Sequence, residues 1–210
     1  MHKLLFLVVS LLPLSLSAQD TQGVVALLCG QRTGTGCVVA MEKVNDIHYA
    51  TILTCWHVIC EDNGRDRVYV TFRNGQTFKG SVERWFTAGD TATVRVQCPA
   101  DTKVIPIAQN PPTEGDLLRV RGLGKQNFKA GQIKVWECRA ALPTSSVLVV
   151  SDTMVVAGDS GGPVTNEKGE LVGIVAQGCV TTKNGDMFNP AEHWGMVAMG
   201  LKAIREVVND

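Results

Sequence analysis

The chain has 210 residues, of which 45% are hydrophobic and 19% charged. Those values suit one compact unit or two small barrels sharing a cleft, and exclude disordered, collagen-like and coiled-coil classes. Twenty basic residues balance twenty acidic ones, so no basic excess points to nucleic acid and no polybasic run to an anionic membrane.

Met1, His2 and Lys3 are followed by a nearly unbroken apolar run over residues 4–16, with Pro13 late in it and small residues at Ser15, Ser17 and Ala18. A charged start, an apolar stretch and a small-residue end predict a secretory signal peptide over residues 1–18, leaving a single domain over 19–210. The apolar run is shorter than the ~20 residues of a membrane helix. The expectation is a secreted or periplasmic protein with no membrane attachment after cleavage. Seven cysteines (Cys29, Cys37, Cys55, Cys60, Cys98, Cys138 and Cys179) follow the signal segment. In an oxidising compartment several can pair, and the odd number leaves at least one over. Cys29 and Cys37 flank a glycine-rich stretch and are candidates to face each other across a hairpin, although connectivity does not follow from spacing.

Beyond the signal segment the pattern is strand, turn, strand. Residues 24–29 form an apolar run, 30–36 read as turn chemistry, and 37–41 and 47–53 are β-rich. Residues 68–72 alternate, Asn74-Gly75 is a strong hairpin turn, and 77–86 and 91–96 continue as strands. Residues 110–115, Asn-Pro-Pro-Thr-Glu-Gly, form the best linker. Further strands are predicted over 117–121, 132–139, 147–151, 170–177 and 194–199. Only residues 201–208 read as a helix, with Leu201, Ile204, Val207 and Val208 on one face. Many short strands without intervening helices predict an all-β sandwich or barrel rather than a crossover α/β fold.

The most specific motif is Gly158-Asp159-Ser160-Gly161-Gly162-Pro163. A serine hydroxyl is a weak nucleophile at neutral pH and needs a base beside it and donors for the oxyanion it creates. Glycines around the serine let the backbone turn its amides toward one point. The N–H groups of Gly158 and Ser160 are the natural oxyanion donors.

This hexapeptide resembles the active-site signature of chymotrypsin/trypsin-like serine peptidases. Residues 54–59, Thr-Cys-Trp-His-Val-Ile, resemble the family's histidine region. Residues 34–39 and 53–58 together look closest to the bacterial HtrA/Deg-like branch, and the likeness covers roughly residues 24–199. The resemblance implies two antiparallel six-stranded β-barrels, about 20–108 and 113–200, with a C-terminal helix. It implies a serine endopeptidase acting on protein or peptide substrates. A PDZ domain of the kind that branch carries is not expected, and the protein is expected to be monomeric.

Of four histidines, His2 lies in the signal segment, His48 within a strand and His193 near the last strand. His57 alone ends a β-rich run where a ring can enter a cleft, and histidine suits proton transfer near neutral pH. Cys55, His57 and Cys60 lie close enough in sequence to suggest zinc, but no second Cys/His pair lies at the usual spacing. No metal or organic cofactor is required. The carboxylate orienting His57 is assigned to Asp90, which follows Gly89 and opens a strand as the family's aspartate does. Asp66, among loop charges, and Asp101, in a turn, are rivals. By resemblance, Met154 lies at the base of the primary specificity pocket, with Ala176 and Gly178 on one wall and Gly195 on the other. An apolar base and small walls imply an apolar side chain before the scissile bond. No Ile-Val-Gly-Gly-type segment follows a basic residue, so Asp159 has no evident N-terminal partner. The alternatives are a catalytically inactive binding protein on the same scaffold, and an esterase using the same residues.

Overall fold

The computed structural model describes residues 22–59, 68–124, 133–151, 155–177 and 195–208. The expected signal peptide, Cys60, Cys179 and the rival Asp66 lie outside the described residues.

Among the described residues, twelve strands form two antiparallel sheets, each closed on itself. The first barrel contains β1 (Val24–Cys29), β2 (Arg32–Val44), β3 (Ile47–Thr54), β4 (Val68–Thr71), β5 (Thr77–Phe86) and β6 (Thr91–Gln97). Its spatial order is β1-β2-β3-β6-β5-β4, and β4 returns to pair with β1. The second contains β7 (Leu117–Gly122), β8 (Lys134–Pro143), β9 (Val147–Ser151), β10 (Pro163–Thr165), β11 (Leu171–Gln177) and β12 (Gly195–Gly200). Its order is β10-β11-β12-β9-β8-β7. Two residue pairs close it, Val164 opposite Val120 and Thr165 opposite Arg119. A single helical turn, α1 (Trp56–Ile59), follows β3, and α2 (Leu201–Val208) ends the described chain. The all-β double barrel with a C-terminal helix is therefore the fold this chain adopts.

Period-2 patterning explains the strands. Alternate residues of each point into its barrel, and Val38, Ile52, Val70 and Val94 fill the first while Leu118, Val120, Leu148 and Ile174 fill the second, all at most 1% exposed. Each fully buried side chain of this size contributes about 1.5–3 kcal/mol. The long strands β2 and β5 are bent by register shifts at Val38/Ala40 and Val82/Arg84, which supply the curvature closure needs.

Two expectations are corrected, and one strand is added. The turn read over residues 30–36 is confined to Gly30 and Gln31, and β2 starts at Arg32. Gly34 and Gly36 are strand residues, needed because a Cβ at Gly34 would strike the Val58 side chain and one at Gly36 the Ile52 side chain. Cys29 and Cys37 do not face each other: Cys29 lies opposite Arg32 and Cys37 opposite Val24. That separates them by about 16 Å along the hairpin, beyond the ~7 Å reach of a disulfide between Cα atoms. The strand β10, which follows the serine motif, went unread because three residues are too few to display a period.

The barrels are joined by more than their linker. Ala108 N–H donates to Leu171 O at 2.9 Å and Leu171 N–H to Pro106 O at 2.7 Å. Helix α2 leaves the second barrel and packs on the first, where Thr91 Oγ1 donates to Ala203 O at 3.0 Å. Its buried face is Leu201, Ala203, Ile204 and Val207, and the expected Val208 is partly buried against the same core.

Candidate active site

His57 sits on α1, directly after β3. Asp90 lies between the 3-10 turn Thr87–Gly89 and β6, and β6 is the neighbour of β3. The pairing of Thr54 with Ala92 thus sets the two residues side by side. Asp90 Oδ2 is 2.6 Å from His57 Nδ1, and Oδ1 accepts the His57 backbone N–H at 2.9 Å. The Asp90 carbonyl accepts the Trp56 N–H at 3.1 Å. Because a carboxylate accepts, Nδ1 carries the ring hydrogen and the Nε2 lone pair is left available. Asp90 has φ 44° and ψ 40°, a left-handed conformation that aspartate tolerates better than most residues. Asp101, the described rival, is an exposed turn residue.

Ser160 reaches the same place from the second barrel. The Ser160 carbonyl accepts the Thr35 N–H at 2.8 Å, and the Gly161 N–H donates to Val175 O at 2.7 Å. Gly161 has φ +84°, and a Cβ there would collide with the Thr35 carbonyl and the Thr54 hydroxyl and lie 3.1 Å from Cys55 N. The serine loop therefore lies against the end of β3, within two residues of His57. Among the described residues, neither the Gly158 N–H nor the Ser160 N–H donates to an acceptor. The Asp159 carbonyl accepts the Gly162 N–H at 2.9 Å, so the Asp159–Ser160 peptide plane is held with its N–H pointing the other way.

Asp159 is fully buried. Its Oδ1 accepts the Gly124 N–H at 2.7 Å and its Oδ2 the Val156 N–H at 2.8 Å. Burial raises its pKa, opposed by the bonds from Val156 and Gly124 and by the charge of Lys134. Backbone amides, rather than a chain terminus, occupy this carboxylate. Sequence reasoning left Asp159 without a partner because both donors lie in loops without a motif.

Cys55, His57 and Asp90 bring ligand atoms within 4.8 Å of one another. The donor set nevertheless fits a metal poorly. The Cys55 thiol is fully buried, donates to Val175 O at 3.0 Å, and is held well above the usual thiol pKa by burial and then by the Asp90 charge. A thiol is a metal ligand as the thiolate, and this one is kept protonated.

Of the expected pocket residues, Ala176 is buried in β11 and Gly195 opens β12, opposite Ser151. Met154 and Gly178 lie outside the described residues.

Two closed six-stranded barrels, with a His–Asp pair on one and a Gly-Asp-Ser-Gly-Gly-Pro loop from the other, define the trypsin-like class of protein. The chain belongs to the trypsin-like peptidase domain family, whose model matches residues 34–174. It is 28% identical over 149 residues to the mitochondrial serine protease HTRA2 of Bos taurus, an alignment covering 67% of this chain and 30% of that protein. The chain spans about a third of the length of the curated relatives it matches. In fold it is similar to the serine endoprotease from Yersinia pestis, with TM-score 0.66, 20% identity, and coverage of 90% of this chain and 63% of that one. It is also similar to the inactive form of the Rv3671c protease of M. tuberculosis, with TM-score 0.65, 18% identity, and coverage of 90% and 88%.

Proposed function

We propose that this chain is a secreted or periplasmic serine endopeptidase that hydrolyses protein or peptide substrates through Ser160, His57 and Asp90. The observation that carries this reading is the hydrogen-bonded His57–Asp90 pair, set beside the Ser160 loop with Nε2 available. In the proposed reaction, Ser160 Oγ attacks the scissile carbonyl while His57 Nε2 takes its proton. Asp90 holds the ring and stabilises the imidazolium. The carbonyl oxygen becomes an oxyanion that the Gly158 and Ser160 N–H groups stabilise, each worth about 3 kcal/mol in such sites. His57 returns the proton to the leaving amine, and an acyl-enzyme remains. Water then attacks through the same base, releasing the acid and restoring the serine.

The proposed preference is a medium or large apolar residue before the scissile bond, resting on Met154 and on the small residues Ala176, Gly178 and Gly195. No metal or cofactor takes part in the proposed steps. The N-terminal apolar segment supports export. No helix among the described residues is long and apolar enough to cross a membrane. A monomer is the proposed state.

A fluorophosphonate probe is expected to label the wild type and not Ser160→Ala. A diverse peptide mixture, with the cut sites sequenced, is expected to show cleavage after apolar residues. Cleavage dominated by Lys or Arg overturns the preference. Absence of both labelling and cleavage overturns the activity and leaves a binding protein on the same scaffold.

A further inference from the structure

Thr35 joins the two barrels at the serine loop through its N–H and its hydroxyl. It is fully buried in β2. Its N–H donates to Ser160 O at 2.8 Å, and its carbonyl accepts the Thr54 hydroxyl at 2.9 Å. Its own hydroxyl donates to Gly158 O at 2.7 Å and accepts the Leu123 N–H at 3.2 Å. Both roles of the hydroxyl are forced, since an amide can only donate and a carbonyl can only accept.

These bonds act on the residues proposed as oxyanion donors. The peptide plane after Gly158 is held at both ends, its C=O by the Thr35 hydroxyl and its Asp159 N–H by Val156 O at 3.0 Å. The plane after Ser160 is held likewise, its C=O by the Thr35 N–H and its Gly161 N–H by Val175 O. Gly158 has φ +99° and no side chain to restrict it, so the orientation of its neighbouring planes depends on such outside restraints. Thr35 touches neither the substrate position nor the His57 ring in any described contact.

We propose that Thr35 is a positioning residue: its hydroxyl, bridging Leu123 and Gly158, holds the Gly158–Ser160 segment in the conformation that aims two amides at the developing oxyanion. The inference rests on the proposed peptidase activity. It deepens that reading by placing part of the oxyanion site's rigidity on the other barrel. Valine has the shape of threonine without the hydroxyl, and leaves the Leu123 N–H and the Gly158 carbonyl without their bridge. Serine keeps the bridge.

The test compares the full chain as wild type, Thr35→Val, Thr35→Ala, Thr35→Ser and Ser160→Ala on one peptide substrate, with a peptide boronic acid as a tetrahedral mimic. Loss of one oxyanion donor typically costs about 100- to 1000-fold in kcat, so misaiming is expected to cost about 10- to 100-fold. Thr35→Val is expected to lose kcat by that factor with KM near wild type, and boronate affinity is expected to fall in parallel. Thr35→Ser is expected to restore most of both. If the valine protein does not fold, the alanine–serine pair carries the same comparison. A folded Thr35→Val or Thr35→Ala with wild-type kcat and boronate affinity, whatever its Tm, overturns the positioning role. So does a loss confined to KM. A wild type with no Ser160-dependent turnover overturns the peptidase reading and this inference with it. Normal wild-type turnover with unaffected Thr35 variants overturns this inference alone.

Discussion

Asp90 holds His57 at two points, ring and backbone: Oδ2 lies 2.6 Å from Nδ1 and Oδ1 accepts the main-chain N–H at 2.9 Å. The backbone bond fixes where α1 begins, and the ring bond fixes which nitrogen is protonated. Asparagine at 90 keeps an oxygen for the backbone N–H but offers an NH2 group to Nδ1. The ring must then accept at Nδ1 and protonate Nε2, the wrong tautomer for a base. Asp90→Asn is therefore expected to fold and to lose kcat by about four orders of magnitude. Steady-state kinetics with circular dichroism checks both halves. Near-normal turnover would show that Asp90 does not serve the proposed base.

The all-β class was legible because the strands are short and separated by turns such as Asn74-Gly75, and the division into two barrels came from the family resemblance. The assignment of Asp90 to His57 came from the family resemblance, because patterning carries no strand order; the structure adds that Asp90 opens β6 and that β6 lies beside β3. The start of β2 was not legible. A glycine that permits a turn and a glycine that makes room for Val58 look identical in a sequence, so Gly34 and Gly36 were read as turn residues. Thr35 and Asp159 were opaque for a different reason. The Thr35–Gly158 bond spans 123 positions, and the donors to Asp159 are main-chain amides, whose identity carries no signal. Local patterning reports which face of a strand is buried. It does not report which loop of the other barrel will meet it.

Asp159 makes stability depend on pH in a predictable sense. Burial raises its pKa above the ordinary 3.8, against the pull of its two amide bonds and Lys134. The native state thus holds this proton more tightly than the unfolded chain. Its contribution is fully present below the unfolded value and is lost as pH rises through the folded one. Asparagine does not titrate there. The stability of the wild type relative to Asp159→Asn is expected to decline from about pH 4 toward neutral. Urea unfolding of both, in a Ser160→Ala background to prevent self-digestion, measures the difference. A gap that is constant, or that widens in favour of the wild type, contradicts the raised value.

Cys37 and Cys55 are both fully buried, and burial pushes both thiols above their usual range. The thiolate is the reactive form, so raised values and closed access both slow alkylation. Iodoacetamide at neutral pH is expected to leave these two unmodified in the folded protein and to modify them in urea. Peptide mass spectrometry resolves them from the other cysteines. Rapid native labelling of Cys55 would mean that the buried thiol beside His57 and Asp90 is open to solvent.

Two glycines with left-handed backbones separate conformational cost from steric cost. Gly161 has φ +84° and Gly169 φ +78°, but a Cβ on Gly169 meets nothing within 4 Å. On Gly161 it runs into the Thr35 carbonyl and the Thr54 hydroxyl. Alanine at 169 is expected to cost about 1–2 kcal/mol, the penalty of an L-residue in that region. Alanine at 161 adds overpacking and is expected to cost about 2–5 kcal/mol. The collision with the Thr35 carbonyl also separates the barrels where Ser160 meets β2. Activity is therefore expected to fall at temperatures where Gly161→Ala is still folded, while Gly169→Ala follows its melting curve. Parallel unfolding and turnover measurements on the two variants decide it. Equal costs would mean that β2 yields easily to the serine loop, a result at odds with a closely fitted contact between the barrels.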